Sequence, residues 1–176
     1  MLKIINSEKV ITFNEAIGEK TGQIVSKSID KKNLGSATFE YSDDAQGEIE
    51  IVSIDEFVKG NNIKKIDFVK IDMEGFEESV LKGMTDTLVR FTPTIWVEVN
   101  FESFENVNRL LMDNEYTLVD IKGSNLLYKN IARFPDVKSI GMENVVEDML
   151  TYYDKTNKYY NYYLTTKQWV DDKNKI

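Results

Sequence analysis

At 176 residues with 41% apolar side chains, the chain is long enough for one domain with a real core. It contains neither cysteine nor histidine, which excludes disulfides, thiol nucleophiles, thiolate metal sites and imidazole bases; any metal would need oxygen ligands, as magnesium or calcium do. A net charge of −8 argues against nucleic acid or an anionic membrane as the main partner, and no apolar run approaches the roughly 20 residues of a membrane helix.

In chain order, Val10–Phe13 reads as a strand and Gly18–Gly22 as a turn. A β-rich stretch follows over 23–54, with strands expected at Gln23–Ser26, Ala37–Tyr41 and Ile49–Ile54. Asn33–Ser36 reads as a loop between them, because Asn and Gly tolerate positive φ. Asp55 is expected to cap a short helix over Glu56–Lys59, ended by Gly60 and Asn61.

The segment Ile66–Gly83, IDFVKIDMEGFEESVLKG, carries the most information. Ile66, Phe68, Val69 and Ile71 form a nearly continuous apolar run, the pattern of a strand covered on both faces. Asp72, Glu74 and Gly75 follow at once. Phe76, Val80, Leu81, Met84 and Leu88 then recur at helical spacing, with Glu77 and Glu78 where the helix dipole favours negative charge. A helix after Gly75 and a stop before Pro93 is the natural reading. Ligands of open α/β sheets sit beyond the carboxyl ends of the strands, where Asp72 and Glu74 fall. The plainer reading of Asp72 is a helix cap.

A second strand, Thr94–Val99, starts directly after Pro93, with Ile95, Val97 and Val99 on one face and Trp96 and Glu98 on the other. If it runs parallel beside the first, Glu98 joins Asp72 and Glu74 on one rim. The plainer reading of Glu98 is an acid ion-paired with Lys70 or Lys82; Lys70 itself is given no chemical role. A helix with Val107, Leu110 and Leu111 inside then leads to Asn114, the expected left-handed residue. Thr117–Ile121 and Asn125–Tyr128 read as a closing antiparallel pair turning at Lys122-Gly123-Ser124. Gly141–Tyr153 has the apolar spacing of an amphipathic helix, and a Tyr-rich tail with Trp169 ends the sequence. Such a tail more often packs on its own domain or a partner than stacks on sugars or bases.

KIDMEGFEESVLKG followed by PTIWVEVN resembles the FkbM-type S-adenosylmethionine-dependent methyltransferases: a strand ending K-I-D-x-E-G, a helix with V-L-K-G, then a Pro-led strand ending in Glu. Asn14-Glu15-Ala16-Ile17-Gly18 with Gly22 resembles the family's A-x-G-x-x-x-G segment. Asn33-Leu34-Gly35-Ser36 resembles its N-x-G-S loop, and Ile51-Val52-Ser53-Ile54-Asp55 its V-x-T-L-D strand end. The likeness runs from about Val10 to Tyr128. It divides the chain into an FkbM-like portion over 1–130 and a Tyr-rich helical extension over 131–176.

The resemblance implies an α/β fold: a partial Rossmann-like class I methyltransferase sheet with helices on both faces. The family's opening strand with its D-x-G-x-x-x-G loop, and the acid about 20 residues later that holds the cofactor ribose, have no counterpart here, so the first βαβ unit is expected to be missing. The strand Ile66–Ile71 should then present an open edge, leaving the chain marginal, self-associating or completed by a separate front-half polypeptide. The implied activity is O-methyl transfer from S-adenosylmethionine to a sugar or other small hydroxyl acceptor, inactive in isolation. The implied catalytic residues are Asp72, Glu74 and Glu98, which would also be the ligands of any magnesium. Glu15, Ala16 and Asp72 would bind cofactor, and Asn33, Gly35 and Ser36 substrate. A non-catalytic remnant binding a protein partner, and a metal- or carbohydrate-binding domain, are the alternatives. No secretory signal pattern is visible in MLKIINSEKV, and a cytoplasmic location is expected.

Overall fold

The computed structural model describes residues 10–30, 33–42, 49–73 and 75–153. Glu74 and the Tyr-rich tail lie outside them, so the expectations placed there have no structural counterpart below. The described residues form a mixed α/β structure with two four-stranded sheets rather than one.

The first sheet is built from β1 (Ala16–Gly18), β2 (Gly22–Asp30), β3 (Asn33–Tyr41) and β4 (Ile49–Ser53), in the order β1-β4-β2-β3. β1 runs parallel to β4, and the other pairings are antiparallel. Two expectations fail here. Asn33–Ser36 is the start of β3 and not a loop, because Asn33 pairs with Asp30 across the hairpin. Val10–Phe13 forms no strand; its apolar side chains are exposed, and Phe13 is held instead by an edge-to-face contact on Phe57 at 4.7 Å.

Helix α1 (Ile54–Gly60) follows β4 without a loop. Its cap is Ser53, whose hydroxyl accepts from the Glu56 N–H at 3.2 Å; Asp55, the expected cap, lies inside the first turn. Asp55 serves another helix. Its carboxylate accepts from the backbone N–H groups of Asp86 and Thr87, at 3.0 and 2.8 Å, and from the Thr87 hydroxyl at 2.6 Å.

The second sheet has the order β5-β6-β8-β7, from β5 (Phe68–Ile71), β6 (Thr94–Glu98), β7 (Tyr116–Lys122) and β8 (Asn125–Asn130). β5 and β6 are parallel, and β7 and β8 close the sheet as the expected antiparallel hairpin. The helix expected before Pro93 is two, α2 (Glu77–Lys82) and α3 (Thr85–Phe91), broken at Gly83-Met84. At the break the chain passes close to the first sheet: a Cβ on Gly83 would lie 2.0 Å from the carbonyl oxygen of Gly18. Helix α4 (Phe101–Asp113), capped by Asn100, turns Phe104, Val107 and Leu111 inward. Helix α5 (Met142–Tyr153) adds Val145 and Met149 to the core. The left-handed residue after α4 is Glu115, at φ 66°, while Asn114 stays at φ −99°.

Alternation along β6 is clean. Ile95, Val97 and Val99 are fully buried with Leu81, Met84, Leu88, Val107 and Leu111, whereas Thr94, Trp96 and Glu98 on the other face are half-buried. Inside this core the Tyr128 hydroxyl donates to Asn108 and the Tyr116 hydroxyl to the Leu88 carbonyl, so neither buried phenol is orphaned.

β5 ends the sheet among the described residues. The Thr94 N–H donates to Asp67 O at 2.9 Å, and in a parallel ladder alternate residues face the partner. Asp67, Val69 and Ile71 therefore bond toward β6, while the N–H and C=O of Phe68 and Lys70 point to an edge that no described strand pairs. Phe68 is 53% exposed there, so the doubly covered strand read from the sequence is covered on one side only.

Candidate active site

The carboxyl ends of β5 and β6 bring two acids together. The register pairs Ile71 with Val97, so the next residues, Asp72 and Glu98, stand side by side. Asp72 caps no helix: α2 begins at Glu77, with Phe76 at the cap position and no side-chain cap bond. Instead the Lys70 Nζ lies 2.5 Å from Asp72 Oδ2, the two side chains sharing one face of the strand at a spacing of two. That hydrogen bond, aided by one with the Glu98 carboxyl and opposed by partial burial, holds the Asp72 carboxyl below its ordinary range.

Glu98 pairs with neither Lys70 nor Lys82; Lys82 bonds to Glu78 one helical turn away, at 2.8 Å. Besides Asp72, Glu98 is held by Ser124, in the turn between β7 and β8, whose hydroxyl donates to Oε1 at 2.9 Å. Beside it the Trp96 indole N–H donates to Asn125 Oδ1 at 2.9 Å.

The loop after Asp72 is held from beneath. Glu77, 2% exposed, accepts the backbone N–H groups of Met73 and Gly75 on Oε1, at 3.2 and 2.9 Å. Gly75 sits at φ 97°, a conformation that strains any side chain. Chemically, the rim offers an anion fixed by a lysine, next to a second carboxylate fixed by a hydroxyl. Such a pair can face a cation and receive a proton.

The chain matches the Methyltransferase FkbM domain over residues 6–118. It belongs to the FkbM methyltransferase family. No curated protein and no solved structure matches it.

Of the family's expected site residues in this chain, the fold brings together Asp72 and Glu98. Glu15 and Ala16 stand at β1, in the first sheet, and Asn33, Gly35 and Ser36 at the start of β3. The described residues contain no group of three side chains able to hold a metal. None of their helices is long and apolar enough to cross a membrane.

Sequence reading missed three contributors. Lys70 was legible, since spacing of two on a strand puts it on the Asp72 face. Glu77 and Ser124 were not, because one depends on the fold of the acid loop and the other on the β6–β8 register.

An ionised, partly exposed Asp72 carboxylate beside a second acid has the charge to face a cationic group.

Proposed function

We propose that this FkbM-family chain serves S-adenosylmethionine-dependent O-methyl transfer to a sugar or other small hydroxyl compound, at the rim formed by Asp72 and Glu98. The observation that carries this reading is the adjacency of the two acids, each with its own partner, Lys70 for one and Ser124 for the other. When bound, S-adenosylmethionine supplies an electrophilic methyl group on a sulfonium.

The chain's own residues do the rest. Asp72, kept ionised by Lys70, faces the cationic end of the donor. The acceptor's hydroxyl proton passes to the Asp72–Glu98 pair as the methyl group transfers. Displacement at a sulfonium methyl is in line, and most of the rate then comes from orientation of the acceptor. Asn33, Gly35 and Ser36 are the proposed acceptor contacts, and Glu15 and Ala16 further cofactor contacts. The open edge of β5 takes a strand that completes the ribose-binding side, from the same polypeptide or another.

Calorimetry tests this. S-adenosylmethionine is titrated into the chain alone, then into the chain mixed with a polypeptide carrying a strand and a D-x-G-x-x-x-G loop. Micromolar binding should need the mixture, and Asp72→Ala should abolish methyl transfer to a hydroxyl acceptor by it. Absence of binding in the mixture, or unchanged turnover in the variant, would retire the assignment.

A further inference from the structure

We infer that Ser124 is a positioning residue of this rim: through its hydrogen bond to Glu98 it aims that carboxylate at Asp72. The inference rests on the reading of the Asp72–Glu98 pair as the proton-accepting group, and it assigns a task to a turn residue whose position in the chain gives no hint of one.

Three observations carry it. Ser124 is 1% exposed, so its hydroxyl has no bulk water to bond and must be satisfied inside the protein. It donates to Glu98 Oε1 at 2.9 Å, so the carboxyl that also bonds to Asp72 is held from a second side. The Ser124 carbonyl accepts the Val99 N–H at 2.8 Å, so one residue fixes both the strand end and the side chain one position before it.

The turn is built to present Ser124. Gly123 takes φ 61°, a left-handed conformation that lets the β7–β8 connection close tightly and return the next residue over the end of β6. Asn125 then pairs with Glu98 in the β6–β8 register and receives the Trp96 indole N–H. Glu98 is thus bracketed by a hydroxyl on its carboxylate and an ordered pair at its base. A carboxylate held by one fixed donor loses most of its rotational freedom before any ligand arrives, the usual gain from preorganisation. On the other strand Lys70 does the same for Asp72.

The test is spectroscopic and uses the full chain. Side-chain carboxyl ¹³C resonances of Asp72 and Glu98 are recorded at fixed pH in the wild type, Ser124→Ala, Glu98→Gln and the double variant. If Ser124 acts through Glu98, Ser124→Ala displaces both resonances, and the Asp72 displacement vanishes when the same change is made in the Glu98→Gln background. A merely structural hydroxyl would lower the melting temperature without moving Asp72. An unmoved Asp72 resonance, or a displacement that persists in the Glu98→Gln background, overturns the inference. Should the alanine chain fail to fold, Ser124→Cys keeps the volume, nearly loses the donor and is read in its place. None of these readouts needs cofactor. Loss of the methyl-transfer reading in calorimetry would therefore leave this result standing, and the reverse holds equally.

Discussion

Gly83 and Gly18 meet backbone to backbone, so closely that a Cβ on Gly83 would lie 2.0 Å from the Gly18 carbonyl oxygen. The contact joins the first sheet to the end of α2, and Asp55 N donates to Gly83 O at 3.0 Å from the same side. Because the obstacle is backbone, no side-chain rotation relieves it. Gly83→Ala should destabilise the fold by about 1–3 kcal/mol, the usual penalty of overpacking. Gly60→Ala is the control: nothing lies within 4 Å of its Cβ, and it ends α1, so alanine there should gain about 0.5 kcal/mol. Urea unfolding of the two variants decides, and equal midpoints would refute the contact.

Asp55 and Thr87 make the second joint. The carboxylate takes the second and third N–H groups of α3, the role of a cap, from a residue 32 positions away. Asp55→Ala should cost about 1–2 kcal/mol, at the upper end for caps, since the buried Thr87 hydroxyl is orphaned at the same time. Asp55→Asn keeps one acceptor oxygen and should recover part of that. Thermal melts of both read the difference, and an alanine variant as stable as wild type would show the cap to be dispensable.

These joints also show where sequence reading stops. The strands β5 and β6, the closing hairpin and the α4 and α5 helices are written in local periodicity and were legible. The adjacency of Asp72 and Glu98 was legible only on the condition that those two strands pair in parallel, which they do. The close approach at Gly83, the true client of Asp55 and the bond from Ser124 depend on residues 26 to 65 positions distant. Periodicity carries no information about such partners. Asn33–Ser36 failed for a different reason: Asn and Gly suit a loop locally, and the β2–β3 ladder overrides that preference.

Lys70 and Asp72 make the electrostatic prediction. The Asp72 carboxyl titrates below its ordinary 3.8 in the folded chain, chiefly through the Lys70 hydrogen bond. Its contribution to stability is therefore present above the unfolded value and disappears as pH falls through the folded one. Lys70→Met should move the Asp72 midpoint up toward 3.8 and flatten the acid limb of the stability curve. At pH 7 the loss should be small, under about 1 kcal/mol, because both side chains are nearly half exposed and solvent screens the pair. A carboxyl NMR titration that leaves the Asp72 midpoint in place would show that Lys70 is not its partner.

Thr92 closes α3 in the left-handed region, at φ 45° and ψ 49°, which a β-branched residue adopts only under constraint. The constraint is visible on both sides. Pro93 disfavours continuation of the right-handed helix, and Thr92 N–H still bonds to Leu88 O at 3.1 Å. The Arg133 guanidinium then holds the turn, donating to the Phe91 and Thr92 carbonyls at 3.3 and 3.1 Å and to Asp67 at 2.9 Å. Glycine meets no Cβ penalty at this φ, so Thr92→Gly should stabilise the chain by about 0.5–1 kcal/mol after the entropy glycine gives up in the unfolded state. Chemical denaturation measures this directly. If Thr92→Gly instead destabilises, the threonine side chain contributes contacts that outweigh its backbone strain. Because β5 begins at this clamp, the variant should also leave the ¹³C resonances of Asp72 unchanged, separating strain in the turn from the chemistry at the other end of the strand.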